Sequence, residues 1–212
     1  LALAVDAGST RSYPGSGTTT TSLVSSNIGS LINGVGFSSD NGGTFTFDGV
    51  NDFISFDTTL TFSSANLTSV AWVKLDSYLS QNSTIGFSPD SGTTGFRLYA
   101  VSTTSLGVWT RNGGGGVTAI ATTNGIPLNE WVQVTFVLNG TNGKLYKNGI
   151  QILTGTFTQT PNALSSAPVW ISRYSGSGYI IDGKTASALL YNRALTAAEV
   201  LQNYNAQKNR FI

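Results

Sequence analysis

The chain of 212 residues contains no cysteine, no histidine and no methionine, and charged residues make up only 10% of it. Without cysteine it can form neither disulfides nor thiolate metal sites. Without histidine it lacks the commonest general base and the commonest metal ligand. Nucleophilic catalysis by a serine–histidine or cysteine–histidine pair is therefore excluded, and the composition points away from an enzyme.

Charge and hydropathy exclude two further classes of partner. The net charge is +1 and no basic cluster occurs, whereas a nucleic-acid partner requires a basic stripe. No run of about 18 apolar residues predicts a transmembrane helix, so we expect no membrane insertion.

No signal peptide is visible at the start. The chain begins at Leu1 rather than Met. We interpret it either as a fragment or processed piece of a longer protein, or as a chain that merely lacks its first residues.

What the sequence does contain is 40% hydrophobic residues together with abundant Ser, Thr, Asn and Gly. This mixture favours strands and turns over helices. All-β domains of this length are common. We therefore expect residues 1–212 to form a single all-β domain.

The clearest strand pattern lies in residues 131–153. Residues 132–139 alternate apolar and polar side chains, which is typical of a half-buried strand. Asn-Gly pairs then predict turns at 139–143 and at 148–149, the second of type I′, with strands at 144–147 and 150–153. The result is a β-meander. We interpret Trp131 as a core anchor rather than a ligand platform, because large aromatic residues dominate core burial.

The remaining pattern predicts more strands and one short helix. Strands are predicted over residues 1–5, 44–47, 52–57, 67–75, 95–101, 106–110, 117–121, 168–173 and 184–191. Trp72 is predicted to lie in the core, and residues 23–37 to be irregular because Asn and Gly interrupt them. Thr196 and Glu199 form a capping box, with Leu195 and Val200 as its hydrophobic staple. They predict a helix from Thr196 to about residue 205.

Three of these segments resemble one family. Trp131 followed by L-Y-K-N-G at 145–149, the hairpin NGGTFTFDGVNDFISF at 41–56, and YNRALTAAEVLQNYN at 191–205 resemble the concanavalin A-like lectin/glucanase superfamily in its laminin-G-like branch. The resemblance covers nearly the whole chain. It implies a two-sheet antiparallel β-sandwich of jelly-roll type with one short C-terminal helix.

The start of the chain resembles a narrower group. The segment A-V-D-A-G-S, followed by S-Y-P-G-S-G at 12–17, resembles laminin-G-like domains in virion proteins of tailed phages, especially cyanophages. This resemblance implies a non-catalytic module on the virion surface, as capsid decoration or as a tail or fibre component. Its expected partners are other virion proteins, surface glycans or both, and it could act in many copies. The alternative is a free-standing carbohydrate-binding, lectin-like module in an extracellular setting.

Hydrolysis is a remote alternative, because the superfamily includes glucanases. A glycosidase requires two carboxylates about 5 to 10 Å apart. The sequence has two glutamates: Glu199 belongs to the capping box and Glu130 stands alone. Asp52 and Asp57 are separated by an odd number of positions, so they face opposite sides of a regular strand. We therefore predict no catalytic residues.

Two sets of residues are candidate binding sites. Aromatic and polar residues near glycine-rich segments could bind a glycan: Trp109, Arg111, Asn112, Tyr174 and Tyr179. The alternative for each is core or rim packing. Asp48, Asn51 and Asp52, with Asp182 as a further ligand, could hold Ca²⁺, which requires clustered oxygen atoms. The alternative is that these are turn residues bonded to their own backbone. No other cofactor is expected.

Overall fold

The computed structural model describes residues 1–62, 65–79, 83–111, 117–174 and 179–212. The strands, in chain order, are β1 (Leu3–Asp6), β2 (Thr19–Thr21), β3 (Ile28–Ile32), β4 (Gly36–Ser38), β5 (Thr44–Asp48), β6 (Phe53–Leu60), β7 (Asn66–Ser77), β8 (Ser83–Thr84), β9 (Phe87–Pro89), β10 (Phe96–Ser102), β11 (Ser105–Arg111), β12 (Val117–Thr122), β13 (Val132–Asn139), β14 (Asn142–Lys147), β15 (Ile150–Thr156), β16 (Ala167–Ile171) and β17 (Asp182–Tyr191). Helix α1 spans Ala197–Gln207, and 3-10 turns span Asp40–Gly42 and Lys208–Arg210.

The strands form antiparallel sheets that share one core. An eight-stranded sheet has the order β15-β14-β13-β7-β17-β5-β4, with β1 also paired to β17. Opposite it are a four-stranded sheet, β12-β11-β10-β8, and a five-stranded sheet, β2-β3-β6-β16-β9, which adjoin where β9 lies beside β10. All three sheets bury side chains in a common cluster. Phe96 of β10, for example, packs 5.7 Å from Phe136 of β13, measured between ring centroids. The predicted antiparallel sandwich is confirmed.

The predicted meander is β13-β14-β15. Asn148 and Gly149 have φ angles of 52° and 77°, the left-handed pair that a two-residue type I′ turn requires. The third strand continues to Thr156, beyond the predicted end. Inward side chains such as Phe136 and Leu145 join the common core. The prediction of a half-buried strand is wrong for β13, because Gln133, Thr135 and Val137 on its outer face are buried as well.

Two predictions about this framework are wrong. Residues 23–37 are not irregular, because they contain β3 and the start of β4; β3 pairs with β6 and places Leu31 opposite Ile54. Trp131 is not a core anchor. It is partly exposed, its Nε1–H donates to Asn41 Oδ1 at 3.0 Å, and its ring lies 4.9 Å from that of Phe211. Trp131 therefore packs at the rim, against the end of the chain.

The C-terminal segment covers part of the outer face of the eight-stranded sheet, around Trp72 and Tyr146. The predicted capping box is confirmed: Thr196 Oγ1 accepts from Glu199 N, and Glu199 Oε2 accepts from Thr196 N. Leu195 and Val200 share a buried cluster with Val137 and Tyr146 of the sheet. No helix in the described part of the chain is long and apolar enough to cross a membrane.

Trp72 lies beneath this segment. It is fully buried, as predicted, but it points away from the core shared by the sheets and stacks on Tyr204 and Phe211, at centroid distances of 5.7 and 4.2 Å. Arg210 fixes the end of the chain. Its Nη1 lies 2.7 Å from Asp6 Oδ1, and its other nitrogens donate to the carbonyls of Asn41 and Gly43.

Candidate functional site

The candidate site lies on the outer face of the four-stranded sheet. Phe96, Leu98 and Ala100 of β10 point into the core, so the alternation of a strand turns Arg97 and Tyr99 outward. The register with β11 sets Arg97 opposite Trp109 and Tyr99 opposite Gly107. The same face therefore carries Arg97, Tyr99, Trp109 and Arg111, and Tyr174 and Tyr179 contact them. We refer to these six residues as the arginine–tyrosine cluster.

Small residues leave space beside these large side chains. A Cβ atom at Gly107 would lie only 2.6 Å from the hydroxyl of Tyr99, so the tyrosine can lie over the strand because position 107 is glycine. On β12, Ala119 and Ala121 stand opposite Trp109 and Gly107, and both alanines are exposed. Among the described residues, the face next to the cluster is thus lined by small, exposed side chains.

A buried ion pair fixes one end of the cluster. Arg111 Nε and Nη2 donate to the two carboxylate oxygens of Asp90, at 2.9 and 3.2 Å, and the Asp90 side chain is fully buried. A bidentate pair of this kind holds the guanidinium in one orientation. Arg111 also donates to the hydroxyl of Tyr174. The hydrogen bond to Asp90 raises the pKa of Arg111, while burial and the negative charge of Asp90 raise the pKa of Tyr174 to about 12.

Arg97 lies at the centre of the cluster. Its side chain is almost fully buried, and its Nε donates to Thr84 Oγ1 at 2.9 Å. The guanidinium carbon lies 4.1, 5.3 and 5.7 Å from the ring centroids of Tyr179, Tyr99 and Tyr174, within the range of cation–π attraction. Burial lowers the pKa of Arg97 to about 10, so Arg97 stays cationic at neutral pH.

The rings hold one another edge to face. Trp109 and Tyr174 meet at 4.7 Å and 85°, and Tyr174 and Tyr179 at 5.5 Å and 70°. Tyr179 has a φ of 61°, which is uncommon for a bulky residue and costs free energy. Its carbonyl accepts from Thr84 N at 3.2 Å. This backbone position, next to β8, places the Tyr179 ring over Arg97.

The structure brings together Trp109, Arg111, Tyr174 and Tyr179 from the predicted set, and Asn112 lies outside the described residues. Trp109 is only 8% exposed, so it supports its neighbours from below, whereas Tyr99, Tyr174 and Tyr179 are half-buried. Arg97, Tyr99 and Asp90 were missed by the sequence analysis. The alternation F-R-L-Y-A at 96–100 could have revealed Arg97 and Tyr99, because it turns them to the face opposite the core.

The residues of the calcium prediction make local hydrogen bonds. Asp48 Oδ1 accepts from Val50 N at 2.8 Å, Asp52 Oδ2 from Asp48 N at 3.2 Å, and Asp182 Oδ2 from Ser77 Oγ at 2.6 Å. Asp52 is buried, and burial raises its pKa; its Oδ1 has no hydrogen-bond partner. Within the described ranges no three acidic residues group as metal ligands do. The bonds at Asp48 and Asp52 are those of turn residues, and calcium binding stays a prediction.

The carboxylates considered for hydrolysis lie in separate places. Glu199 is bonded to Thr196 and to Arg193, and Glu130 is exposed just before β13. Asp57 accepts from the backbone of Ile28. Asp90 is the one carboxylate that contacts the arginine–tyrosine cluster among the described residues, and both of its oxygens bond to Arg111.

Comparison with solved structures shows the same fold in domains of an arabinanase and of neurotoxins. Domain 4 of a GH43 extracellular arabinanase from Geobacillus stearothermophilus, solved in complex with arabinotriose, is 16% identical with a TM-score of 0.75, over 95% of this chain and 97% of that one. The binding domain of botulinum neurotoxin serotype G is 15% identical with a TM-score of 0.74, and that of serotype D is 13% identical with a TM-score of 0.71. Each of the two neurotoxin alignments covers 97% of this chain. The chain spans about half the length of these neurotoxin domains, 50% for serotype G and 51% for serotype D.

Comparison with family models covers most of the chain. No curated protein matches it. A laminin-G family model matches residues 47–201, a range that runs from β5 into helix α1 and includes the arginine–tyrosine cluster. The chain belongs to the concanavalin A-like lectin/glucanases superfamily.

Proposed function

We propose that this chain is a non-catalytic binding module that takes glycans on the arginine–tyrosine cluster and is displayed on the surface of a tailed-phage particle. The observation that carries the glycan part of the proposal is the meeting of half-buried tyrosine rings and two arginines on one open sheet face. These side chains come from β10, β11 and the segment after β16, and a buried ion pair and cation–π contacts fix them. A prearranged surface of this kind lowers the entropy cost of binding.

The chemistry of the cluster suits a sugar. A pyranose or furanose ring presents C–H groups on its faces and hydroxyls at its edge. Tyrosine offers an apolar ring face together with a polar tip, and tyrosine hydroxyls both donate and accept hydrogen bonds. The exposed alanines of β12 leave room for a chain of sugar units to lie along the sheet.

The structural neighbours support a glycan as the first ligand to test. One neighbour is bound to arabinotriose, and others are named as receptor-binding domains. Because the identities are low, these neighbours share only the fold with this chain, and they supply probes. Arabinotriose is the first such probe.

We infer a binding role rather than a catalytic one because a glycosidase requires two carboxylates that flank the bond. The described residues of the cluster meet one carboxylate, that of Asp90, and Arg111 occupies both of its oxygens. With both oxygens bonded to Arg111, this carboxylate is not free to act as a nucleophile. Glycoside hydrolysis is therefore the remote alternative.

The virion part of the proposal depends on the end segments 12–17 and 191–205, whose sequences resemble phage virion proteins. Capsid decoration or a place in a tail or fibre suits a module that binds weakly but in many copies. Neutral hydrogen bonds contribute about 1 kcal/mol each, so useful attachment comes from multivalent display. Other virion proteins and surface glycans are the proposed partners, and a free-standing, extracellular carbohydrate-binding module is the second candidate.

The glycan site is tested by titrating the purified chain with arabinotriose and a panel of neutral oligosaccharides, using calorimetry. Tyr174→Phe removes the hydroxyl bonded to Arg111, and Tyr191→Phe removes a hydroxyl bonded to Asn203 on the covered face. We expect the first variant to weaken binding about tenfold, because the Tyr174 ring loses the hydrogen bond to Arg111 that orients it, and the control to bind as the wild type does. Equal affinities of the two variants would contradict the site. Co-purification with intact particles separates the virion role from the free-standing one.

A further inference from the structure

A hollow on the eight-stranded sheet, the layer opposite the arginine–tyrosine cluster, is lined by both polar and apolar side chains. It has a volume of about 270 Å³ and is lined by Val137, Asn139, Asn142, Lys144, Thr154, Ala194 and Leu195. It lies on the outer face of the meander, beside the segment that leads into helix α1. It shares no residue with the arginine–tyrosine cluster.

Strand register builds one wall of the hollow. Val137 of β13 stands opposite Lys144 of β14, which stands opposite Thr154 of β15. These three side chains form a row across the strands on one face, and Asn139 and Asn142 form the next row. The same register turns Leu145 and Phe136 to the core. The hollow is therefore a consequence of the meander, with its polar residues on the outer face.

The other wall is apolar and comes from the turn before the helix. Leu195 is held in a buried cluster with Val137, Tyr146 and Val200, and its backbone N donates to Thr68 Oγ1 at 3.0 Å. Ala194 packs against the same cluster. This wall is thus fixed by the sheet and by the capped helix, and it offers a small hydrophobic surface beside the polar row.

The polar lining can donate several hydrogen bonds and includes a cation but no acid. Lys144 forms no ion pair in the described part of the chain. Asn142 Oδ1 accepts from Thr156 Oγ1 and Thr154 Oγ1 accepts from Gln151 Nε2, so the Asn142 amide N–H groups and the Thr154 O–H are available to donate. Lysine offers three further donors and no acceptor. A lining of one positive charge and neutral donors selects an anion.

We propose that this hollow binds an acidic sugar unit, a ring that bears a carboxylate or a sulfate. The anion would meet Lys144 and Asn142, while the ring would pack on Val137, Ala194 and Leu195. The volume lies just below the range of roughly 300–1,000 Å³ typical of small-molecule sites, which suits a single sugar unit. The site is independent of the proposed function, because it lies on the other layer and selects charge.

The test follows the backbone amide resonances of the chain by NMR while glucuronate is added. Glucose, glucose 6-sulfate and inorganic sulfate are the comparison probes. We expect glucuronate and glucose 6-sulfate to shift the amides of Asn142, Lys144 and Ala194, each more strongly than glucose or sulfate does. Larger shifts with glucuronate than with glucose 6-sulfate would identify the carboxylate as the preferred group on the sugar, and larger shifts with glucose 6-sulfate would identify the sulfate. Equal shifts with glucose would overturn the charge selection, and equal shifts with inorganic sulfate would reduce the site to an anion site only.

Two variants and one control keep the test specific. Lys144→Gln removes the charge and is expected to weaken glucuronate binding about tenfold. Ala194→Phe fills the hollow and retains Lys144, and it is expected to abolish the shifts. Arg11→Gln removes the same charge from an exposed turn outside the hollow and should change affinity less than about twofold, because exposed charges are screened. No shift with any probe, or equal effects of Lys144→Gln and Arg11→Gln, would overturn the proposal.

Discussion

Both outer faces of the sandwich carry tryptophan, tyrosine and arginine side chains. On one face these side chains are covered by the chain itself, and on the other the tyrosines stay partly exposed. On the eight-stranded sheet, Trp72 is sealed beneath Tyr204 and Phe211, and Arg210 reaches Asp6 to hold the end of the chain in place. On the four-stranded sheet, Trp109 lies under tyrosines whose rings are half-buried, and Arg111 pairs with Asp90.

The difference lies in what covers each face. The chain's own C-terminal segment covers the aromatic residues of the first face around Trp72, so these residues stabilise the fold. On the second face, the described residues leave tyrosine rings and exposed alanines accessible. A cluster of aromatic residues and arginine therefore does not by itself define a binding site. The deciding observation is whether another part of the same chain occupies it.

The largest expected effect concerns the covered face. Trp72→Ala removes a fully buried indole, and we expect it to lower the free energy of unfolding by about 3–5 kcal/mol, as other large-to-small core changes do. Trp131→Ala is the matched control, because Trp131 also packs on Phe211 but is partly exposed. Urea denaturation measures both. If Trp72→Ala costs no more than Trp131→Ala, the C-terminal segment does not seal this face.

The two ion pairs provide the next comparison. Asp90→Asn leaves Arg111 without its buried carboxylate, and we expect a loss of about 3 kcal/mol in the free energy of unfolding. Asp6→Asn removes the partner of Arg210 on the covered face, where both side chains are more than a fifth exposed, and should cost about 1 kcal/mol or less. Thermal and urea unfolding check the order. A reversed order would show that Arg111 does not depend on Asp90.

A smaller effect is expected at alkaline pH. The pKa of Tyr174 is raised to about 12, chiefly by burial, from an ordinary value near 10. The folded state therefore favours neutral Tyr174. Its contribution to stability is complete below pH 10 and is lost as pH rises through about 12. Tyrosinate absorbance of the wild type minus that of Tyr174→Phe should show one group titrating near 12. A difference curve centred near 10 would contradict the burial of this hydroxyl.

The smallest effect is expected at acid pH and concerns helix α1. Hydrogen bonds from Arg193 and from Thr196 lower the pKa of Glu199 to about 2, from 4.5. The folded state favours the ionised carboxylate, so its stabilising contribution is present above pH 4.5 and is lost as pH falls through about 2. In Glu199→Gln, the decrease in the unfolding midpoint over this pH range should be shallower than in the wild type. Identical acid profiles would contradict the capping role.

Local patterns in the sequence predicted the meander and the capped helix correctly. Alternation over 132–139, the Asn148-Gly149 pair, and the Thr196–Glu199 spacing each depend on neighbours along the chain. The composition of the candidate site was predicted in part, since Trp109, Arg111, Tyr174 and Tyr179 do meet. Arg97 and Tyr99 were visible in the alternation of β10, but their position beside Tyr179 depends on a segment about 80 residues further along.

The errors have the same physical origin. Trp131 was placed in the core because of its size, yet its surroundings depend on where Phe211 and Asn41 lie. Residues 23–37 contain many turn formers, but pairing of β3 with β6 overrides that local preference. Strand propensity depends strongly on cross-strand context, and no short window of sequence contains that context.

A glycan array shows whether the arginine–tyrosine cluster binds glycans without catalysing a reaction, as we propose. The chain is applied as a monomer and as a multivalent display, beside Tyr174→Phe and Tyr191→Phe in both forms. We predict weak binding by the monomer, tight binding by the display, weaker binding in both forms for Tyr174→Phe alone, and no reducing sugar released from any polysaccharide. Equal binding by the two variants, or release of reducing sugar that Glu130→Gln abolishes, would contradict the account.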